Sequence, residues 1–445
     1  MSLAAQAVTT PQPEVELSRE ARLGVVLYGG VSLAIYINGV AHEFFRAVQG
    51  LGAYSLIKAL TDSHVNVDII SGTSAGGING LFLGFALCNQ KHFGDFASLW
   101  REQGSIERLI RNPRLGPEGT NSVLDGEGYY QHALEDAFAR LWASPEAPRG
   151  PLCWEGGELD LFITGTDIDG SIYTEFDDAR HEIQVKDHRA VFLLKHRPGR
   201  KQPFDPLFGG AKPAVTFEAL ARLARITSCF PGAFPAVHVP LTPPGDESAD
   251  AKLNLWGRLE KDAYYLDGGI LDNKPFTHTI RAIFGRTATR PVRRLLYYVE
   301  PDPERFAGQV SVEQPNIFRS VLDSLIRIPG YESISGDLEM LRSHNSSVAE
   351  FERLMQALEA DTEREPHSPA EDQTYRASRV VFFSRRAAEG VLKEHGRQVQ
   401  FKNQTLAAAK KLIGEFESLT ARLPVERMEQ VDVYFRLRRL FDLYY

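Results

Sequence analysis

Residues 65–87 read VNVDIISGTSAGGINGLFLGFAL, and this stretch decides how the rest of the chain is organised. Val65–Ile70 form a short run rich in β-branched residues, which is typical of a buried strand. Ile78–Leu87 are apolar at helical spacing and predict a helix after that strand. Small residues separate the two segments, so the stretch predicts a strand, a sharp turn and a helix.

The turn contains the pattern Gly72-x-Ser74-x-Gly76, which is that of a nucleophile elbow. An elbow holds its serine in a strained backbone conformation, and the flanking glycines leave room where a Cβ would strike the next strand or helix. Ser74 is therefore the candidate nucleophile, with its hydroxyl at the positive end of the following helix. The pattern alone is weak evidence, because a glycine-rich turn without chemistry has the same sequence.

A second glycine turn occurs in residues 23–32, which read LGVVLYGGVS. A strand that runs into adjacent glycines, followed by a helix over Ala34–Val48, lets backbone N–H groups point at an anion. Gly29, Gly30 and Val31 are therefore candidate donors of an oxyanion hole. A phosphate-binding loop and a plain tight turn are the alternatives, although no Gly-Lys-Ser/Thr follows as a nucleotide-binding P-loop would require.

A third stretch, residues 264–275, reads YYLDGGILDNKP. Asp267 stands at the end of a predicted strand, and Gly268 and Gly269 place it on a tight turn with its carboxylate exposed to a cleft. Taken alone, this is an ordinary Asp-Gly turn.

Together, the three stretches resemble the patatin-like phospholipase family. Asn273, Pro275 and the segment Thr227–Pro235 also fall where that family has similar residues. The resemblance covers residues 22–300 and is that of a bacterial-type member with an extra C-terminal helical region. It implies an α/β three-layer fold with a mainly parallel central sheet, which the alternation of strands and helices also favours.

The resemblance implies a serine acyl hydrolase that needs no metal or cofactor and cleaves fatty-acyl esters of lipids, above all glycerophospholipids. Ser74 is the nucleophile in this interpretation, and Asp267 accepts its proton directly. The pKa of a free Asp is about 3.9, so partial burial must raise the basicity of this carboxylate.

The glycine loop departs from the family's pattern. Its sequence at residues 29–34, GGVSLA, lacks the third glycine, the basic residue and the final glycine that are usual there. This departure favours one alternative, a regulatory binding protein with a weak or silent catalytic domain. An acyltransferase or thioesterase with the same Ser-Asp pair stays open, as does a Ser-His-Asp hydrolase that would use one of the later histidines His278, His344, His367 or His395.

Composition limits the partners and the compartment. The 445 residues are 43% hydrophobic and 24% charged with a net charge of −8, which argues against nucleic-acid binding and against strong attraction to anionic membranes. Cys88, Cys153 and Cys229 are scattered without metal-ligand spacing, as in a reducing compartment. The N-terminus lacks the pattern of a signal peptide, so we expect a cytoplasmic protein. Peripheral membrane contact remains open, and the sequence does not indicate the oligomeric state.

The chain is expected to divide into a disordered lead (1–21), a catalytic domain (22–300) and a mainly helical region (301–445). A basic loop at residues 195–201 either meets lipid headgroups or is simply solvated. Asp167 and Asp169 lack a third oxygen ligand nearby, so a turn at 165–170 is favoured over a metal site. Further predicted elements are strands at 159–164, 182–185, 190–194 and 294–300, a loop at 240–251, and helices at 93–99, 129–142, 318–328, 338–358, 380–423 and 425–445.

Overall fold

The structure is a computed structural model that describes residues 19–30, 34–61, 63–94, 109–110, 122–147, 157–176, 181–197, 203–207, 212–286, 292–300 and 334–362. The chain divides into two compact units, residues 1–342 and residues 343–445. Of the second unit, only residues 343–362 are among those described, and they are helical.

The described elements alternate between strands and helices along the chain. The strands are β1 (Arg19–Leu27), β2 (Ser63–Gly72), β3 (Leu159–Phe176), β4 (Glu182–His196), β5 (Val237–Val239), β6 (Ala263–Asp267) and β7 (Val292–Val299). The α-helices are α1 (Ala34–Gln49), α2 (Ala53–Thr61), α3 (Ala75–Cys88), α4 (Gln131–Ala143), α5 (Pro213–Ser228), α6 (Ala249–Gly257), α7 (Phe276–Phe284) and α8 (Ser335–Thr362). A π-helical turn at Gly126–Tyr130 precedes α4, and a short 3₁₀ turn at Gly268–Ile270 follows β6.

The described strands form one mixed sheet whose centre is parallel. β7, β1, β2 and β3 are neighbours in that order, and each adjacent pair is parallel. β4 and β6 pair with β3 in the antiparallel sense, and β5 pairs with β6 in the same sense. The predicted α/β fold with a mostly parallel central sheet is therefore confirmed.

Helices pack on both faces of the sheet, which gives three layers, and the alternating side chains of β1 reach both helical layers. Leu23, Val25 and Leu27 point into a large core that they share with α1, α3, α4 and α5. Val26 and Tyr28 point the other way, into a smaller core with Phe276 and Ile280 of α7. Successive residues of a strand face opposite sides of the sheet, so β1 is buried on both faces. Helix α3 is buried along nearly its whole length, as its apolar sequence requires.

Two of the predictions about β3 and β4 are wrong. The turn expected at 165–170 does not end the strand, because β3 continues to Phe176 through an irregularity between Thr166 and Ser171, with Gly170 at φ 68°. The separate strands expected at 182–185 and 190–194 are the single strand β4. Pairing with β4 on both sides of this irregularity, at Leu159–Thr166 and at Ser171–Phe176, outweighs the local turn signal of Gly and Asp.

Some boundaries also shift, and several helices were not anticipated. Arg19–Ala21, assigned from the sequence to the N-terminal lead, belong to β1. Helix α6 begins inside the loop expected at 240–251, where the Ser248 side chain accepts a hydrogen bond from the backbone N–H of Ala251 at 3.2 Å. Helices α2, α5 and α7 were not predicted.

Two more predictions differ in part: Phe93 and Gly94, the start of the helix expected at 93–99, are not helical, and Lys195 and His196 of the loop expected at 195–201 belong to β4. The following element predictions are confirmed. The strand at 65–70 lies within β2, the helix at 78–87 within α3, the helix at 338–358 within α8, and the last strand corresponds to β7. The expected helix at 129–142 is the π-helical turn followed by α4. Residues 1–18, residues 95–99 of the helix expected at 93–99, residues 198–201 of the basic loop, and all of 318–328, 380–423 and 425–445 lie outside the described residues. None of the described helices combines the length and apolar character needed to cross a bilayer.

Candidate active site

Strand β3 has two different partners on one side, and this arrangement creates the site. β4 pairs with β3 along Leu159–Thr166 and occupies one side of it, so β2 and β6 must share the other. β2 pairs with β3 up to Ile163 and β6 pairs with it from Gly165. Since β2 is parallel and β6 antiparallel to β3, the carboxyl ends of β2 and β6 face each other. The residues that follow these two ends are therefore brought together.

Ser74 follows the end of β2 and has the strained geometry of an elbow. Its backbone angles are φ 54° and ψ −126°, which are unusual for a residue with a side chain. The hydroxyl of Thr227, at the end of α5, accepts a hydrogen bond from the backbone N–H of Ser74 at 2.9 Å. This bond holds the strained peptide in place, with Ser74 only 5% exposed.

The two motif glycines are required by close backbone contacts. A Cβ on Gly76 would lie 2.3 Å from the carbonyl oxygen of Leu27 in β1. A Cβ on Gly72 would lie 2.8 Å from the carbonyl oxygen of Gly76. Helix α3 can therefore approach β1 and β2 this closely only because these positions carry no side chain.

Asp267 ends β6, and its backbone and carboxylate are both held by hydrogen bonds. Its N–H donates to the carbonyl of Cys229 at 3.1 Å, and its carbonyl accepts from the Thr166 hydroxyl at 2.8 Å. Oδ1 accepts from the Gly269 N–H at 2.7 Å, and Oδ2 accepts from the Ser74 hydroxyl at 3.1 Å. The structure thus brings together the two side chains that the sequence placed 193 positions apart.

The electrostatic environment of Asp267 makes its carboxylate more basic than usual. Burial raises the pKa of Asp267 from 3.8 to about 7, because the charged form loses hydration at a site that is only 3% exposed. The hydrogen bonds from Gly269 and Ser74 favour the charged form and offset part of this rise. A carboxylate with a pKa close to neutrality can accept a proton from a bound hydroxyl.

The glycine loop after β1 passes directly beside Ser74. A Cβ on Gly29 would lie 3.2 Å from the Cβ of Ser74 and 2.2 Å from Oδ1 of Asn273. The same Oδ1 would lie 3.0 Å from a Cβ on Gly269, so the Asn273 side chain fills the space between the loop and the Asp turn. Gly30 is described as the last residue before the gap at 31–33, and Val31 lies outside the described residues.

Hydrogen bonds around the end of β2 connect the turn that carries Ser74 with the turn at Gly268–Ile270 that follows Asp267. The Thr73 hydroxyl contacts the Thr164 hydroxyl at 2.7 Å and donates to the carbonyl of Asp272 at 2.8 Å. A Cβ on Gly268 would lie 2.2 Å from the Thr164 hydroxyl oxygen. The turn after Asp267 can therefore pack this closely against β3 only because residue 268 has no side chain. The two turns therefore form one rigid unit.

Of the histidines proposed as alternative bases, His278 contacts partners other than Ser74. His278 Nε2 lies 3.0 Å from Oδ2 of Asp272, and its ring stacks on Phe162 with the centroids 5.7 Å apart. His344 lies on α8, and His367 and His395 are outside the described residues. Ser74 instead has the Asp267 carboxylate as its side-chain partner.

Sequence reasoning missed the role of Thr227 and did not single out Tyr130, which contacts the next residue, Ser228. Thr227 was noted only as part of a serine- and proline-containing segment, although its hydroxyl holds the elbow. The Tyr130 hydroxyl contacts Ser228 at 3.4 Å, and burial raises its pKa to about 12, which keeps the phenol protonated. No local pattern could have linked Thr227 to Ser74, since 153 positions separate the two residues. The described residues contain no group of His, Cys, Asp and Glu side chains that could hold a metal ion.

Comparison with known proteins agrees with this architecture. A sequence model of the patatin-like phospholipase family matches residues 25–280, more than half of the chain. The matched region begins in β1 and ends in α7, so it contains both Ser74 and Asp267. An uncharacterized membrane protein of Mycobacterium tuberculosis is 30% identical over 373 residues, which correspond to 76% of this chain and 33% of that protein. The chain thus spans about a third of the length of this relative.

Proposed function

The chain belongs to the patatin-like phospholipase family, and from this premise we propose that it is a serine acyl hydrolase that cleaves fatty-acyl esters of phospholipids and related lipids through Ser74 and Asp267. Family membership supports a lipid acyl hydrolase. The choice of these two residues rests on their own geometry and chemistry. The single observation that carries it is the 3.1 Å hydrogen bond from the Ser74 hydroxyl to the Asp267 carboxylate.

In the first half-reaction, Ser74 Oγ attacks the carbonyl carbon of the ester. Its proton passes along the existing hydrogen bond to Oδ2 of Asp267, and the bond to the alcohol leaving group breaks as that alcohol takes up the proton. The product is an acyl-serine. No third residue is needed to orient the base, because a carboxylate has no tautomer to fix.

Backbone N–H groups of the glycine loop are the proposed donors to the oxyanion. Gly29 supports this assignment because its position lies within contact distance of the Ser74 side chain. Gly30 and Val31 follow Gly29 in the sequence and are assigned with it. Each such donor contributes about 3–4 kcal/mol to stabilising the transition state in a water-excluded site. These donors do not depend on the basic residue that the loop lacks.

In the second half-reaction, water replaces the alcohol. Asp267 takes a proton from the water as it attacks the acyl-serine, and Ser74 Oγ recovers a proton as it leaves. A pKa of about 7 means that roughly half of the Asp267 carboxyls are ionised at neutral pH. The base is therefore both available and strong enough to act in that range.

The test is hydrolysis of p-nitrophenyl acyl esters and of phosphatidylcholine by the purified full chain, together with labelling by a fluorophosphonate. We expect Ser74→Ala to abolish turnover and labelling. Asp267→Asn should reduce turnover by a factor of at least about 10³, because the amide occupies the same space but cannot accept the proton.

A matched control distinguishes the Ser-Asp pair from a histidine-based site. Asp272→Asn and His278→Ala alter the neighbouring carboxylate–imidazole pair and should leave most of the activity. If they silence the enzyme while Asp267→Asn remains active, a histidine triad replaces this proposal. Release of free fatty acid identifies water as the acceptor, whereas predominant transfer to an added alcohol would identify an acyltransferase. Absence of both turnover and labelling in the wild type would favour a silent domain with a binding role.

A further inference from the structure

Strand β4 is the outermost strand on its side of the sheet. β3 has β4 on one side and β2 with β6 on the other, and the described strands include none that pairs with the outer edge of β4. β4 contains 15 residues, whereas most strands in globular proteins have five or six. A long edge of this kind presents a row of backbone donors and acceptors that can pair with another chain.

The sequence of β4 is self-complementary about His188. Two copies of a strand that pair in the antiparallel sense are related by a two-fold axis perpendicular to the sheet, so residues equally spaced on either side of the axis stand opposite each other. With the axis at His188, Asp187 of one copy stands opposite Arg189 of the other. Val185 then faces Val191, and Ile183 faces Leu193.

All these pairs lie on one face of the strand, because the residues concerned are odd-numbered. Ile183 is 47% exposed, Arg189 is exposed, and Val185, Asp187, Val191 and Leu193 are half-buried, so the face retains accessible surface. Directly opposed apolar pairs and opposite charges stabilise an antiparallel ladder, and like charges destabilise it. Registers centred on Lys186, Asp187 or Arg189 would each place a charged residue opposite itself.

The centre of this segment is fixed to the body of the sheet. His188 Nδ1 lies 2.8 Å from the carbonyl oxygen of Asp167 in β3, and its neighbours Asp187 and Arg189 pair with Ser171 and Thr166 of β3. The other face of β4 carries Phe192 and Leu194, which are fully buried in the core. The edge is therefore held in an extended conformation before any partner binds, which lowers the entropic cost of pairing.

We propose that the outer edge of β4 is a homodimer interface in which residues 183–193 of two copies pair in antiparallel orientation about His188, so that one sheet continues through both subunits. A lipid surface fits this edge poorly, because Lys186, Asp187 and Arg189 stand at its centre and hydrocarbon penalises charged groups far more than it rewards Ile or Val. A second copy places an opposite charge against Asp187 and against Arg189, and the proposed register sets Lys186 opposite Ala190.

Two charge-reversal variants test the pairing in the full-length chain. Asp187→Arg places Arg opposite Arg, and Arg189→Asp places Asp opposite Asp, so each variant repels another copy of itself. We expect sedimentation velocity to show a dimer for the wild type and at least a tenfold weaker dimer for each variant alone. An equimolar mixture of the two variants should recover the dimer, because each opposed pair then joins an arginine of one variant to an aspartate of the other. Recovery in the mixture excludes misfolding of either variant as the cause.

A cysteine at the axis tests the register independently. His188→Cys places the two new side chains opposite each other and should give a disulfide-linked dimer on mild oxidation. Gln184→Cys is the matched control on the same strand, and it should not cross-link because the proposed register places it opposite Phe192. A wild type that stays monomeric over a wide concentration range overturns the proposal. So does a dimer that neither charge reversal weakens, or cross-linking at residue 184 rather than 188.

Discussion

Replacing Asp267 with Asn should stabilise the fold while it removes the proposed base. The carboxyl has a pKa of about 7 in the folded chain and an ordinary value of 3.8 when the chain is unfolded. Between these values the folded state holds a proton that the unfolded state has lost. The free energy of unfolding therefore falls as pH rises from about 4 to about 7.

The size of the effect follows from the shift in pKa. A shift from 3.8 to about 7 is roughly three units, and at 1.36 kcal/mol per unit the ionised carboxylate costs the folded state about 4 kcal/mol above pH 7. Asn removes this ionisation, its side-chain oxygen can still accept the hydrogen bond from the Gly269 N–H, and its amide N–H group can donate to the Ser74 hydroxyl oxygen. The variant should match the wild type near pH 4 and exceed its stability by about 4 kcal/mol at pH 8.

Urea unfolding of both proteins at a series of pH values measures this difference. Comparing the two proteins at each pH cancels the contribution of the other titrating groups. Ser74→Ala is the matched control, since it also abolishes the proposed reaction but keeps the carboxyl, and its stability relative to the wild type should not rise with pH. A difference between Asp267→Asn and the wild type that stays constant with pH, or a variant less stable than the wild type at pH 8, would refute the argument.

Four further outcomes are expected. The kcat/KM for a neutral ester should rise with pH and level off above about 7, with a tenfold loss per unit well below that value, because only the ionised form of Asp267 accepts a proton. Thr227→Val should leave the Ser74 N–H unsatisfied, cost about 1–3 kcal/mol in stability and slow phosphonate labelling, whereas Thr227→Ser should retain both properties. Gly76→Ala should destabilise the fold by roughly 3 kcal/mol, because its Cβ would lie 2.3 Å from a carbonyl oxygen. Gly39→Ala, in an exposed turn of α1 with no atom within 4 Å of the new Cβ, should instead stabilise it by about 1 kcal/mol in thermal or urea unfolding.

The sequence predicted the elements whose signals are local. The elbow required only a β-branched strand, two glycines and an apolar helix within 23 residues, and the structure has these as β2, Gly72, Gly76 and α3. The glycines could be interpreted because close packing against β1 and β2 leaves no room for a Cβ. Local patterns were misleading at residues 165–170, which have the composition of a turn. Strand β3 continues past them because it pairs with β4 both before and after the irregularity between Thr166 and Ser171.

By itself, then, the sequence determined the family, the α/β architecture and the identity of the candidate residues, since each follows from a short motif or from apolar periodicity. Only the tertiary structure decided how Ser74 and Asp267 meet. Their contact depends on β2 and β6 pairing with successive parts of the same side of β3. The sequence of one strand does not determine its register with a strand far away in the chain. The raised pKa of Asp267 has the same origin, because burial is a property of everything packed around a carboxyl, and the residue's sequence neighbours do not specify it.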